Sequence, residues 1–315
     1  MTATTEQAAD WSQRPERSNM ALLKLMTWIS LRFGRRAGRV VLHGIAAYFL
    51  LFAADSRRAS RDYLTRVLGR PVGWRDIYRH MFAFASTIHD RIYLLNQRFD
   101  LFDITVYGDD LMLEAIADGK GVFLIGAHMG SFEVIRSIGR RHTELRVAMA
   151  MYEDNARKIN GMLAAINPAA QQDVIGLGRV DSMLKVNEFL NAGTMVGMLA
   201  DRTFGDDTTV PIELLGAPAN MPMGPFRMAA ILRRPVLFMV GLYLGGNRYE
   251  IHFERLADFS RTVRGERQAD LDRAMIDYTA LLDKHCRRAP YNWFNFFDFW
   301  AARPAKRSTD PRTAP

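Results

Sequence analysis

A chain of 315 residues, 49% of them hydrophobic, is long enough for one large α/β core with an appendage. Its single cysteine, Cys286, excludes an internal disulfide framework and any multi-cysteine zinc site, and favours a reducing compartment. A net charge of +8 favours polyanionic partners, whether nucleic acid, anionic lipid or an acidic carrier protein.

Residues 1–19 are polar and read as a disordered tail. From Met20 an amphipathic pattern begins, with Leu22, Leu25, Met26, Ile29 and Phe33 spaced as one helical face. A basic cluster follows, Arg32, Arg35, Arg36 and Arg39, and then Val40 to Ala54, apolar apart from His43. That run is shorter than the ~20 residues needed to span a bilayer. It also lacks a signal-peptide cleavage site and begins too far into the chain. A basic, tryptophan-bearing amphipathic segment beside an apolar one suits a helix lying on a membrane. A buried helical hairpin with a solvated arginine face would share the pattern. Trp74 to Asn96 reads as a further helix, with Ile77, Met81, Phe84, Ala85, Ile88, Ile92 and Leu95 on one face. His80 and His89 lie on it without acidic residues at metal-ligand spacing, and read as ordinary helix residues.

Beyond Ile104, strands and helices alternate. Strands are predicted at Val122–Ile125, Leu145–Met151, Asp173–Ile175, Thr194–Leu199, Val236–Leu244 and Tyr249–Glu254. Helices are predicted at Leu111–Ala117, Ser131–Arg141, Asn155–Ile166, Val180–Asn191, Gly224–Leu232 and Ala269–Cys286. This alternation implies an α/β fold with a mostly parallel central sheet flanked by helices. The last two strands, joined at Gly245-Gly246-Asn247, should form an antiparallel hairpin. The organisation expected is a tail (1–19), a helical membrane-associated region (20–105), an α/β domain (106–300) and a basic tail (301–315).

The most informative stretch is Gly121-Val-Phe-Leu-Ile-Gly-Ala-His-Met-Gly-Ser-Phe-Glu133. An apolar strand runs through a glycine-bearing turn into a helix, leaving His128 at the strand's carboxyl end, where open α/β sheets place their ligands. Glu133 falls in the first helical turn, within reach of the imidazole. A histidine oriented by a carboxylate is the minimal device for deprotonating a hydroxyl. The plainer alternative is a turn histidine beside a carboxylate placed favourably at a helix N-terminus, worth ~0.3–1 kcal/mol. No G-x-S-x-G elbow, P-loop, dinucleotide glycine motif or H-E-x-x-H helix is present. Cys286 sits in a basic helical end but lacks a supporting constellation.

Gly126-Ala-His-Met-Gly-Ser-Phe-Glu133 resembles the His-x-x-x-x-Asp/Glu signature of the lysophospholipid acyltransferase superfamily, and most closely the branch of late acyltransferases of lipid A biosynthesis. Gly197-Met-Leu-Ala-Asp-Arg202 is similar to that branch's strand-end Asp-Gln segment. Leu214-Leu-Gly-Ala-Pro218 and Pro222-Met-Gly-Pro-Phe-Arg227 resemble two further blocks, and the likeness covers roughly residues 20–300. The resemblance implies transfer of a fatty acyl group from an acyl-thioester, on acyl carrier protein or CoA, to a lipid hydroxyl or amine. It implies His128 as general base and Glu133 as the group that fixes its tautomer, with no metal and no cofactor beyond the thioester co-substrate. Oxyanion stabilisation would come from backbone amides near Gly130 or from a nearby arginine.

If the sheet is parallel, Asp201 and Arg202 share a sheet edge with His128. Arg202 stands where the branch commonly has glutamine. Arg202 and Arg227 each suit an acidic or phosphorylated substrate, or else a structural contact, which for Arg202 would lie in the loop Gly205-Asp206-Asp207. The aromatic run Tyr291–Trp300 fits core packing, an interfacial anchor or an acyl-groove wall. It lacks the basic residues common at that end of the lipid A enzymes and carries Asp298, resembling a sister group of predicted acyltransferases. An acceptor other than the bis-phosphorylated lipid A precursor is therefore expected. The expected location is the cytoplasmic face of the cell inner membrane, with the membrane surface as partner. A non-catalytic lipid-binding protein keeping the fold is the alternative. Dispersed basic residues without a recognition motif argue against nucleic acid as a partner.

Overall fold

The computed structural model describes residues 17–135, 146–167, 174–178, 181–203, 208–263 and 265–301. Three helices come first: α1 (Arg17–Phe52), α2 (Ala54–Leu68) and α3 (Trp74–Leu95). Gly34 interrupts α1 at φ 83°, a conformation that glycine adopts without the Cβ clash other residues meet. Gly38 lets α1 approach α3 closely, since a Cβ there would stand 2.2 Å from His89 Nε2. Arg35 donates both Nε and Nη2 to the buried Asp90 at 2.7 Å, and Tyr249 donates its hydroxyl to the same carboxylate at 2.8 Å. The face expected from Met26 to Phe33 does not stay together. Met26 is buried, whereas Phe33, just before the break at Gly34, is turned to solvent.

The remaining elements in chain order are β1 (Asp103–Tyr107), α4 (Asp109–Ala115), β2 (Phe123–Gly126), β3 (Val147–Tyr152), α5 (Glu153–Ile166), β4 (Val174–Leu177), α6 (Ser182–Asn191) and β5 (Met195–Leu199). They continue with β6 (Thr209–Leu214), β7 (Ala217–Pro222), α7 (Gly224–Leu232), β8 (Pro235–Tyr243), β9 (Arg248–Asp258) and α8 (Arg267–Arg288). Seven strands make one sheet in the order β1-β9-β8-β2-β5-β3-β4, parallel in every pair except β8–β9. The expected α/β sheet and its final hairpin are both present, the hairpin turning through Gly245 and Gly246 at positive φ. β1, and the antiparallel hairpin β6–β7 turning at Leu215-Gly216, are additions to the expected set. The helix expected at Ser131–Arg141 opens as a single 3-10 turn at residues 133–135, and its remainder lies outside the described residues.

The strands at the centre are apolar on both faces, as strands covered on both sides must be. Phe123, Ile125, Val196 and Phe238 pack toward α7 and α8, together with Tyr63 and Leu64 of α2. Leu124, Met195, Leu237 and Met239 pack on the other side with Ile92 and Leu94 of α3 and Leu163 of α5. His80 of α3 is wholly buried: its Nε2 donates to Trp293 O at 2.8 Å, so its Nδ1 accepts from Ser60 Oγ at 2.8 Å. It is thus a structural histidine, as its sequence context suggested. Burial pushes its pKa down from 6.5 to about 4, against the raising effect of the Trp293 carbonyl. The unfolded chain therefore binds a proton between those values that the native protein refuses. Stability should be intact above pH ~6.5 and should fall as pH drops toward 4, by at most about 1.4 kcal/mol per pH unit from this group. A chemical-denaturation midpoint that stays flat across that window would contradict this assignment.

No single helix among the described residues is long and apolar enough to cross a membrane. The pair Met26–Phe52 and Ala54–Leu68, bent by 94°, has membrane-like length and hydropathy when taken together. Trp28, Leu31, Phe33, Val40, Tyr48, Leu51 and Phe52 on α1 are each more than half exposed.

Candidate active site

β2 is buried throughout and hands the chain to a turn through Gly126 and Ala127. His128 follows on that turn. The turn is held closely against β8: Gly130, at φ 63°, has its Cα where an added Cβ would stand 1.9 Å from Gly241 O, and Ser131 N donates to that same oxygen at 2.8 Å. Only glycine satisfies both the dihedral and the approach at this position. Gly130 thus shapes the turn. Its N–H is already donated to Asn292 O at 2.9 Å, and Met129 N donates to Ala127 O. The amides of Met129, Gly130 and Ser131 are therefore committed inside the protein.

β2 and β5 are parallel neighbours, with Gly126 opposite Leu199, and Ala200 N continues the ladder to Gly126 O at 3.0 Å. Two residues past each strand, that register brings Asp201 to His128. Asp201 is 1% exposed. It accepts from His128 N at 3.0 Å and His128 Nδ1 at 2.8 Å, and also from Trp293 Nε1 at 2.9 Å and Asn295 Nδ2 at 3.0 Å. The Nδ1–H bond to a carboxylate fixes the tautomer and leaves Nε2 as the basic nitrogen. Burial alone would raise the Asp201 carboxyl, but the His128 ring, its hydrogen bonds and the Arg202 charge hold it well below the usual carboxylate range. Burial also lowers the His128 pKa; Asp201 opposes this, Arg202 adds to it, and the net direction is down.

The expectation that Glu133 orients the imidazole is thus corrected. Asp201 holds the ring, while Glu133 Oε1 lies 2.6 Å from Arg91 Nε and its Oε2 accepts from Ser131 Oγ at 3.3 Å. The 3-10 turn at 133–135 belongs to the pocket wall, and α3 supplies the cation that meets it. Asp201, expected as a substrate contact, is instead the ring's anchor.

A cavity of about 380 Å³ opens over His128. Its walls are mainly apolar, with Phe84 and Ile88 of α3, Phe132, Met239 of β8, and Phe294, Phe296 and Phe297 of the C-terminal segment. Among the described residues, His128, Glu133, Arg91 and Arg202 are its ionisable side chains. Arg202 lines the cavity and donates Nε to Asn295 Oδ1 at 2.6 Å and Nη2 to Phe294 O at 2.9 Å. Arg227 is not brought there. It is exposed on α7 and reaches back to Met223 Sδ at 3.0 Å, because its place in the helix points it away from the sheet edge. The loop Gly205-Asp206-Asp207 lies outside the described residues.

The aromatic C-terminal segment is both core and groove wall. Trp293 is 1% exposed beneath Asp201, whereas Phe297 is at the cavity's open side. Phe294 N donates to His128 O at 2.8 Å, and the Asn292 side chain bonds both the N–H and the carbonyl of Tyr243. Sequence reasoning did not assign Trp293, Asn295 or Arg91 to the site. Asn292 and Asn295 set within an aromatic run were the available signal, since amides in such a setting need buried partners.

A family model described as bacterial lipid A biosynthesis acyltransferase matches residues 9–301 of the chain. No curated protein matches the chain.

Proposed function

The chain belongs to the bacterial lipid A biosynthesis acyltransferase family and is an acyltransferase; on that premise we propose that His128 is its general base and Asp201 the residue that orients it. The observation carrying this reading is the 2.8 Å bond from His128 Nδ1 to the buried Asp201, at the floor of an apolar cavity. Nε2 takes the proton of an acceptor hydroxyl or amine, and the acceptor attacks the carbonyl carbon of an acyl-thioester. The carbon–sulfur bond breaks, and the leaving thiolate takes the proton from the imidazolium, returning the ring to its starting state. A thioester is already activated, so no acyl-enzyme is required. Because the amides at 129–131 are committed, the positive field at the carbonyl oxygen falls to Arg202.

The mainly apolar walls suit the acyl chain. Acyl carrier protein or CoA as donor fits the net charge of +8, because both carriers are anionic. Asp298 is exposed near the open side of the cavity, which disfavours a bis-phosphorylated acceptor and supports a different lipid acceptor. The test is to offer the purified enzyme an acyl-carrier thioester with the lipid A precursor or with a panel of lyso- and amino-lipids. Efficient acylation of the lipid A precursor alone would refute the acceptor assignment. Failure to transfer to any acceptor would refute the donor.

The enzyme acts, on this reading, at the cytoplasmic face of the inner membrane, held by the exposed apolar side of α1 and the arginines beside it. Replacing Trp28, Phe33 and Phe52 together by serine should reduce co-sedimentation with anionic vesicles several-fold while leaving the melting temperature near that of the parent protein. These side chains are exposed, so their loss opens no core. Unchanged sedimentation would remove α1 from the membrane contact.

A further inference from the structure

Tyr278 of α8 is wholly buried, its ring set edge-on against Phe226 of α7 at 5.4 Å and Phe238 of β8 at 5.7 Å. Its hydroxyl donates to Gly126 O at 2.9 Å. A phenylalanine would fill the same space, so what the hydroxyl adds is that one bond. Burial, with the nearby Asp201 charge, pushes the phenol well above its ordinary pKa and keeps it a donor. The acceptor lies where β2 loses its neighbours. The register of β2 with β8 ends at Ile125 and Phe238, and that with β5 at Gly126 and Leu199. Among the described residues, the last main-chain bond between β2 and β5 runs from Ala200 N to the same Gly126 O, at 3.0 Å. Beyond it the strands part, and His128 N donates to the Asp201 carboxylate instead of to the β5 main chain. One oxygen thus receives both the final rung of the ladder and the Tyr278 hydroxyl, two residues before His128. Glycine resists rotation of that peptide weakly. A larger residue does not fit, because a Cβ there would stand 2.7 Å from Met239 O.

We propose that Tyr278 is a positioning residue, whose hydroxyl pins the last rung between β2 and β5 and so sets the geometry in which Asp201 meets His128. The proposal rests on the reading of His128 as the base, and adds to its support a residue of α8 that does not line the cavity. The other holds on the pair are Phe294 N on His128 O, and Trp293 and Asn295 on Asp201. Those all come from the segment after α8, whereas Tyr278 acts from α8 itself on the strand that carries the histidine. Without the hydroxyl the rung relies on Ala200 N alone. The bond from His128 Nδ1 to Asp201 then loosens, the ring samples both tautomers, and Nε2 is the basic nitrogen for only part of the time. Gly126 O keeps its bond from Ala200, so removing the hydroxyl orphans no buried group and the fold survives.

The first measurement needs no substrate. Full-length protein in detergent micelles, with nitrogen-labelled histidine, is studied by NMR at a pH where the rings are neutral, and the His128 signals are assigned by their loss in H128A. In the parent, Nδ1 should carry the shift of a protonated nitrogen and Nε2 that of a bare one. In Tyr278→Phe the two shifts should move toward each other as the tautomers mix, while the melting temperature falls by about 2–4 °C. Ile77→Val, in the separate cluster with Ala46 and Met81, should lower the melting temperature comparably and leave the His128 shifts where they are. In transfer from an acyl-carrier thioester to the lipid panel, Tyr278→Phe should lower kcat about 10-fold, within the ~10²-fold that a 1 Å misplacement can cost, at an unchanged KM. Parental shifts in Tyr278→Phe would overturn the proposal, and so would a raised KM with parental kcat. Ile77→Val shifts that move as far as those of Tyr278→Phe would also overturn it, since general loosening would then be the cause. Activity that survives in H128A would instead count against the base itself, a result separate from the tautomer measurement.

Discussion

Replacing His128 with alanine is expected to lower acyl transfer by ~10²–10⁴-fold, the range that a positioned general base contributes, with the fold retained. The side chain is about a quarter exposed and faces the cavity, so its removal leaves little void. The pH profile of the parent enzyme should carry the same signature. Only the neutral ring accepts a proton, and burial lowers its pKa. The acid limb of kcat/KM should therefore lie below the ordinary histidine value of ~6.5, and activity should persist into mildly acidic solution. A folded H128A enzyme with parental turnover would eliminate the mechanism, and an acid limb above neutrality would remove His128 as its origin.

Asp201→Asn should be the more damaging change for the molecule as a whole. The amide is similar in shape, but it brings an N–H₂ to a place where four donors converge. With its N–H₂ on the Oδ2 side the amide would leave three of these donors unsatisfied, and with it on the Oδ1 side the neutral ring must shift its proton to Nε2 so that Nδ1 can accept. Each such unsatisfied buried group costs about 1–3 kcal/mol. The tautomer of His128 is released as well, and with it the aim of Nε2. Turnover should fall by on the order of 10²-fold or more, together with a lowered unfolding midpoint. Measuring both separates the roles. A loss of stability with normal kcat would leave Asp201 a structural residue, whereas loss of kcat at parental stability would make it purely an orienting one.

Much of this was legible in the chain. β2, β5 and β8 are apolar runs bounded by turn residues, and the hairpin after β8 is announced by Gly245-Gly246-Asn247. β1 escaped notice because Asp103-Ile-Thr-Val-Tyr107 is short and half-exposed; what makes it a strand is its parallel pairing with β9. β6 and β7 carry Pro211, Pro218 and Pro222, which argue locally against strands and are tolerated in a two-stranded ribbon. The error over Glu133 has a physical root of the same kind. A spacing of five residues makes it a natural partner for His128 on paper. The partner that the structure supplies is 73 residues away and is delivered by the register between two parallel strands. Register is a property of pairing, which local pattern does not encode. The carboxylate close by in sequence was meanwhile claimed by a cation on α3, a helix whose contact with that turn no spacing rule reveals.

The threading of residues 292–295 through the site has a consequence for when the enzyme becomes an enzyme. During synthesis α1 leaves the ribosome well before Trp293 and Asn295, which brace Asp201 and are made only after α8. Until then the histidine's support is missing two of its donors and the groove lacks one wall. On the proposed function, a chain terminated before Trp293 would be without catalytic competence. Cleavage between α8 and Trp293 would return a finished molecule to the same dormant condition. The aromatic segment thus closes the site only once the chain has been made past Asn295.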